Sequence, residues 1–163
     1  MKKLVCIFIL FFSFYNCNFE EPTTFSEEAL NDSFITLGGE EVSLNSILEK
    51  YKGKKIVIDI WASWCADCIV GMPKVKAIQK EFKDVIYLFF SLDRGEAAWK
   101  KGIKRYNVDG EHYYLPKGKE SAFGDFVSIG WIPRYMVINE SSEIVVFDVI
   151  EADDEKLLQA LKN

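Results

Sequence analysis

Residues 55–68 read Lys-Ile-Val-Ile-Asp-Ile-Trp-Ala-Ser-Trp-Cys-Ala-Asp-Cys, and no other stretch constrains the fold as tightly. Lys55 to Trp61 is β-branched and nearly continuously apolar, the pattern of a central strand covered on both faces. From about Cys65 to Phe82 the apolar residues Ile69, Met72, Val75, Ile78 and Phe82 recur at helical spacing. The two cysteines therefore sit at a strand-to-helix junction, at positions i and i+3 of the first helical turn. That spacing brings their sulfurs within bonding distance. It also puts Cys65 where unpaired backbone amides and the helix dipole stabilise a thiolate. A thiolate is the attacking species in disulfide exchange, so Cys65 reads as the nucleophile and Cys68 as the resolving thiol. A structural disulfide and half of a zinc site are the competing readings. Such a short loop gains little closure entropy, and the chain has four cysteines with no second paired cluster.

Around this junction strand and helix patterns alternate. Phe34-Ile35-Thr36-Leu37, Gly38-Gly39 and Glu40 to Leu44 read as a β-hairpin with a glycine turn. Ser43 or Asn45 can cap a helix carrying Ile47, Leu48 and Tyr51 and closed by Gly53. Val85 to Leu92 predicts a second buried strand, and Gly95 to Tyr106 an amphipathic helix. The stretch from there to Gly130 is left as a loop. Arg134 to Asn139 and Glu143 to Val149 form a second hairpin, and Asp153 caps a last helix with Leu157, Leu158 and Leu161. The expected class is α/β: a central mixed sheet with helices on both faces and an N-terminal β-hairpin.

Composition removes other classes. With 20 basic against 25 acidic residues and a net charge of −5, the chain lacks the basic balance of a nucleic-acid binder. A single histidine leaves too few ligands for a paired Cys/His zinc site. The N-terminus is a targeting segment: Met1-Lys2-Lys3 is positive, and Leu4 to Phe12 is unbroken apolar sequence, too short for a comfortable span. Ser13, Phe14 and Tyr15 extend it before Asn16-Cys17, as in a bacterial lipoprotein signal, although Asn16 stands where Gly, Ala or Ser is usual; a plain cleaved signal and an uncleaved anchor are the competing readings. Residues 1–16 are thus expected as a signal peptide, 17–32 as an acidic lipid-anchored tether, and 33–163 as the domain. That places the domain in the cell envelope, in the periplasm or on the outer membrane.

The run Asp59 to Cys68, then Pro73, then Gly130-Trp131-Ile132-Pro133, resembles the thioredoxin superfamily over about residues 34–163. Within it the chain is similar to the membrane-tethered, extracytoplasmic thiol–disulfide oxidoreductases of bacteria linked to cytochrome c maturation. The resemblance implies a thioredoxin-like fold and a monomer with no cofactor, exchanging electrons between a disulfide-containing protein substrate and an upstream thiol reductant protein. It makes Asp59 the buried acid that takes the Cys68 proton. It makes Pro133 a cis-proline facing the disulfide, leaving the Ile132 backbone to pair with an extended substrate. Trp64 and Trp131 then belong to the substrate surface, with one of Trp61 and Trp64 shielding the site and the other packing the core. Pro73 reads as a structural kink.

The chain departs from the family between its cysteines, where Ala66-Asp67 replaces the usual Gly-Pro or Glu-Pro. At ~6 Å and an effective dielectric of ~40–80, Asp67 disfavours a Cys65 thiolate by about 0.7–1.4 kcal/mol. That lowers the reduction potential by about 15–30 mV, a sign that favours a reductase. Arg134 opposes it if it reaches the sulfur. His112 reads as a surface histidine, Tyr113 and Tyr114 as packing or groove residues, and Asp93-Arg94-Gly95 as turn and N-cap. Two alternatives stay open: a thiol peroxidase of the same fold, and a non-catalytic module binding a metal or partner.

Overall fold

The computed structural model describes residues 20–107 and 109–163. The expected signal peptide at 1–16 and the lipidation site Cys17 lie outside the described residues. The apolar run forms β3 (Ile56–Trp61), buried at every position. Beside it β4 (Ile86–Ser91) runs parallel, in register from Ile56↔Ile86 to Trp61↔Ser91. On the other side β6 (Arg134–Ile138) runs antiparallel, pairing Ile60 with Arg134 and Ile56 with Ile138. β7 (Ile144–Val149) continues that edge as the second half of the expected hairpin. The N-terminal hairpin of β1 (Ser33–Thr36) and β2 (Glu41–Ser43) turns through Gly39, whose φ of +88° an L side chain rarely adopts. It joins the sheet through β5 (Glu111–Tyr114), giving the order β2-β1-β5-β4-β3-β6-β7.

Alternation along β3 divides the core. Val57 and Trp61, with Asp59 between them, face α3 (Ala66–Glu81), α4 (Glu96–Tyr106) and α6 (Glu155–Lys162). Ile56, Ile58 and Ile60 face α1 (Glu27–Leu30), α2 (Leu44–Lys50) and α5 (Ala122–Phe126). On that second face Phe34, Phe90 and Phe123 interlock, with ring centroids 4.6 Å (Phe34–Phe90) and 5.4 Å (Phe90–Phe123) apart. Each such ring contributes roughly 1.5–3 kcal/mol by burial, enough to seat a helix as short as α5. Among the described residues no helix is long and apolar enough to cross a membrane.

Several expectations need correction. The supposed loop after α4 holds β5, a 3₁₀ turn at Gly118–Glu120 and α5, elements too short to show a period. His112 is not on the surface: it lies in β5, buried, its ring stacked on Phe89 at 5.1 Å. Tyr113 and Tyr114 are packed. Asp154 rather than Asp153 caps α6, while the run Asp93-Arg94-Gly95 ends on Gly95 at the N-cap of α4. The segment expected as tether also packs onto the domain. Ser26 caps α1, and Phe25 meets Phe126 at 5.3 Å. The buried Asp32 accepts from the Phe123 amide at 2.8 Å and so holds the start of α5.

Candidate active site

Cys65 is the N-cap residue of α3, with extended backbone (φ −79°, ψ 110°). Its Sγ takes the place of a capping oxygen: the Cys68 amide donates to it at 3.1 Å. Cys65 and Cys68 are joined as a disulfide with Cα atoms 5.3 Å apart, Cys68 almost wholly buried beneath Cys65. A charge developing on Cys65 would meet the free amides and positive end of a 16-residue helix. Pro73 sits inside α3, where its missing N–H leaves the Ile69 carbonyl without an intrahelical donor.

The loop that delivers Cys65 is gripped from β4 and α4. Asp93, buried, accepts from the Ser63 hydroxyl at 2.6 Å, the Ser63 amide at 3.1 Å and the Ser91 hydroxyl at 2.9 Å. The Leu92 amide donates to the Trp61 carbonyl at 2.8 Å, and the Tyr106 hydroxyl to the Ser63 carbonyl at 3.4 Å. Gly102 permits that approach, since a Cβ there would stand 2.5 Å from the Ser63 Cβ. Sequence reading gave Asp93 to a turn and missed Ser63. The missed signal was an acid placed directly after a buried strand.

A groove of about 590 Å³ opens beside Cys65. Trp64 and Trp131, 58% and 59% exposed, are on its walls with Ile129 and Ile132. The 3₁₀ turn brings Lys119 and Glu120 to the rim, and Arg94 and Asp67 complete the charges. The Ile132 carbonyl oxygen lies 3.5 Å from the Cys65 Sγ, and the Ile132–Pro133 peptide is cis. Of Trp61 and Trp64, Trp61 is fully buried in the core and Trp64 is the one at the site.

Asp59 lies on the α3 side of β3, 2% exposed, and neither carboxylate oxygen has a hydrogen-bond partner among the described residues. Burial alone pushes its carboxyl up to about 8. Its neighbour across the ladder is Tyr135, whose phenol is pushed far up by burial and by Asp59 beside it. The Tyr135 hydroxyl reaches α3 one turn beyond Cys68, 3.3 Å from where a Gly71 Cβ would stand. Arg134 does not join this group. Strand alternation turns it to the α5 side, where it donates to the Val127 carbonyl at 3.2 Å and pairs with Asp148 at 3.1 Å. The condition for Arg134 to oppose Asp67, reaching the Cys65 sulfur, is not met.

The family model described as Thioredoxin-like matches residues 53–144. The Thioredoxin-like protein YneN of Bacillus subtilis is 40% identical over 86 residues, covering 50% of this chain and 48% of that protein, so the chain spans about half of that relative's length. The thiol-disulfide oxidoreductase ResA of Bacillus cereus is 24% identical over 140 residues, 85% of this chain and 77% of its own. A solution structure of a thiol-disulfide oxidoreductase from Bacteroides vulgatus superposes with a TM-score of 0.68 at 25% identity, covering 84% of this chain and 88% of that one. A match over more than half of the sequence, with the cysteine pair and strands β3 to β6 inside it, carries the assignment: the chain belongs to the thioredoxin-like family, among its thiol–disulfide oxidoreductases.

Proposed function

We propose that this protein reduces protein disulfides outside the cytosol, held at a membrane through Cys17. The observation that carries the chemistry is the Cys65 Sγ at the head of α3, capped by the Cys68 amide and bordering an open groove. In the reduced form the Cys65 thiolate attacks one sulfur of a substrate disulfide. The substrate S–S bond breaks, one substrate cysteine leaves as a thiolate that takes a proton from water, and a mixed disulfide forms. Asp59, its carboxyl pushed up to about 8, is ionised in a minor fraction of molecules at neutral pH and in that form takes the Cys68 proton; the Cys68 sulfur then attacks the Cys65 Sγ and releases the second substrate cysteine. Two electrons have passed to the substrate, and the Cys65–Cys68 disulfide awaits an upstream dithiol. Pro133 and the Ile132 backbone offer the extended edge along which the substrate lies, between Trp64 and Trp131.

Direction is the quantity to measure. Asp67 stands in the first turn of α3 at the groove, and its charge opposes a Cys65 thiolate. The expected potential lies nearer the about −270 mV of thioredoxin than the about −120 mV of the strongest oxidant. Equilibration of Cys65–Cys68 with glutathione tests this. A potential above roughly −170 mV would overturn the reductase assignment, because couples that oxidising serve as isomerases or oxidases.

A further inference from the structure

We propose that the domain rests directly on a lipid surface by its α6–β7 flank, with the redox groove turned to the aqueous side. This rests on Cys17 carrying the lipid anchor.

The reason is the shortness of the chain left free. From Glu21 onward the polypeptide is already built into the domain. Both Glu21 carboxylate oxygens accept from Lys156 Nζ on α6, at 2.9 and 2.7 Å. Thr23 accepts from the Ile144 amide at 2.8 Å, covering the outer edge of β7. Phe25 is seated on α5, against Phe126 at 5.3 Å and Phe123 at 6.3 Å. Between Cys17 and Glu21 a fully extended chain spans at most about 14 Å. A headgroup layer is about 5–8 Å thick. An acylated Cys17 therefore leaves no room for a free-swinging tether, and the Glu21–Lys156 contact comes to lie at or just above the headgroups.

The sheet then sets what faces away. Ile144 pairs with Ile138, and Ile138 with Ile56, at one end of the strands. Cys65 and the groove lie beyond Trp61, at the other end of β3, about 17 Å further along a strand of this length. This strap, Glu21 to Phe25, begins on the α6 face and crosses the β7 edge to end on α5. Its anchored start, at Glu21 and Thr23, is thus separated from the groove along the strands. Charge has little part in this orientation. Near the α6 C-terminus Lys54 and Lys83 alternate with Glu81, Asp84 and Glu140, so the surface presents no single sign to a headgroup layer. On the strap side, β7 exposes Val145 to whatever lies beyond it. The groove, held clear of the bilayer, takes disulfides of proteins approaching from solution.

The test uses the full chain, acylated in cells with its leader intact and reconstituted in phosphatidylethanolamine–phosphatidylglycerol vesicles. A fluorescent amino acid replaces Gln159 on α6 in one variant and Lys117, ahead of the 3₁₀ turn, in another. Lipids with a nitroxide on the headgroup act as quencher. The Gln159 probe is expected to be quenched at least about twofold more than the Lys117 probe at about 0.05 M salt. Inserting about 20 Gly/Ser residues between Asn18 and Phe19 is expected to abolish that difference while the protein still floats with the vesicles. Equal quenching in the native-length chain, with flotation intact, would overturn the orientation and leave the anchor standing. Failure to float would overturn the anchor and the orientation with it.

Discussion

Asp93 holds Ser63 across 30 residues of sequence, accepting from its hydroxyl at 2.6 Å and from its amide at 3.1 Å, two residues ahead of Cys65. The bonds join the end of β4 to the loop that positions the nucleophile, and Asp93 also receives the Ser91 hydroxyl. Asp93→Ala leaves the Ser63 and Ser91 donors without their acceptor, at a cost of about 2–4 kcal/mol. For a domain of this size the melting temperature should fall by roughly 5–15 °C. Asp93→Asn, keeping one acceptor oxygen, should recover part of that loss. Circular-dichroism melts check the ranking, and alkylation of Cys65 at neutral pH checks that its environment has loosened with it.

The two cysteines should separate cleanly by function. Cys65→Ser is expected to abolish turnover of insulin disulfides. Cys68→Ser should leave Cys65 able to attack and should accumulate a mixed disulfide, since no second sulfur resolves it. Non-reducing electrophoresis after mixing with substrate reads this directly, and trapping by the Cys65→Ser protein would reverse the assignment.

Asp59 ties stability to pH with a definite sign. Its carboxyl is raised from 3.8 in the unfolded chain to about 8 in the fold. Between those values the folded protein holds a proton that the unfolded chain has lost, so stability falls as pH rises and levels off above about 8. Asp59→Asn should remove this slope and stabilise the protein by about 3 kcal/mol at neutral pH, the buried amide offsetting part of the gain. Urea unfolding at pH values of about 5, 7 and 9 measures it. The same variant should slow release of the mixed disulfide, so a gain in stability should accompany a loss of activity.

Asp67 is exposed in the first turn of α3, at the edge of the groove. Asp67→Asn should lower the Cys65 pKa and raise the reduction potential by no more than about 30 mV. Arg134→Ala should leave the potential nearly unchanged, because the guanidinium is committed to Val127 and Asp148 on the far side of the sheet. Glutathione equilibration of the three proteins compares them directly, and a shift with Arg134→Ala as large as that with Asp67→Asn would contradict this placement.

What the sequence by itself determined is local. The unbroken β-branched run of β3, the helical period from Ile69 to Phe82 and the two cysteines three apart are properties of neighbouring residues. Backbone geometry converts them into a strand, a helix and a dithiol at the helix head with no help from the rest of the chain. The Gly38-Gly39 hairpin is legible for the same reason. What only the tertiary structure decided is which polar side chains are buried and what they meet. His112 lies against Phe89 because β5 adds to β4 in one particular register. Asp93 meets Ser63 because β4 ends level with β3. Arg134 misses the disulfide because sheet alternation, counted from the Ile60 pairing, turns it to the other face. The stretch from Glu21 to Asp32 packs on the domain because Phe25 and Asp32 find α5, itself too short to announce itself. Each of these contacts joins segments distant in sequence. Its free energy depends on a pairing between strands or helices that no window of neighbouring residues contains.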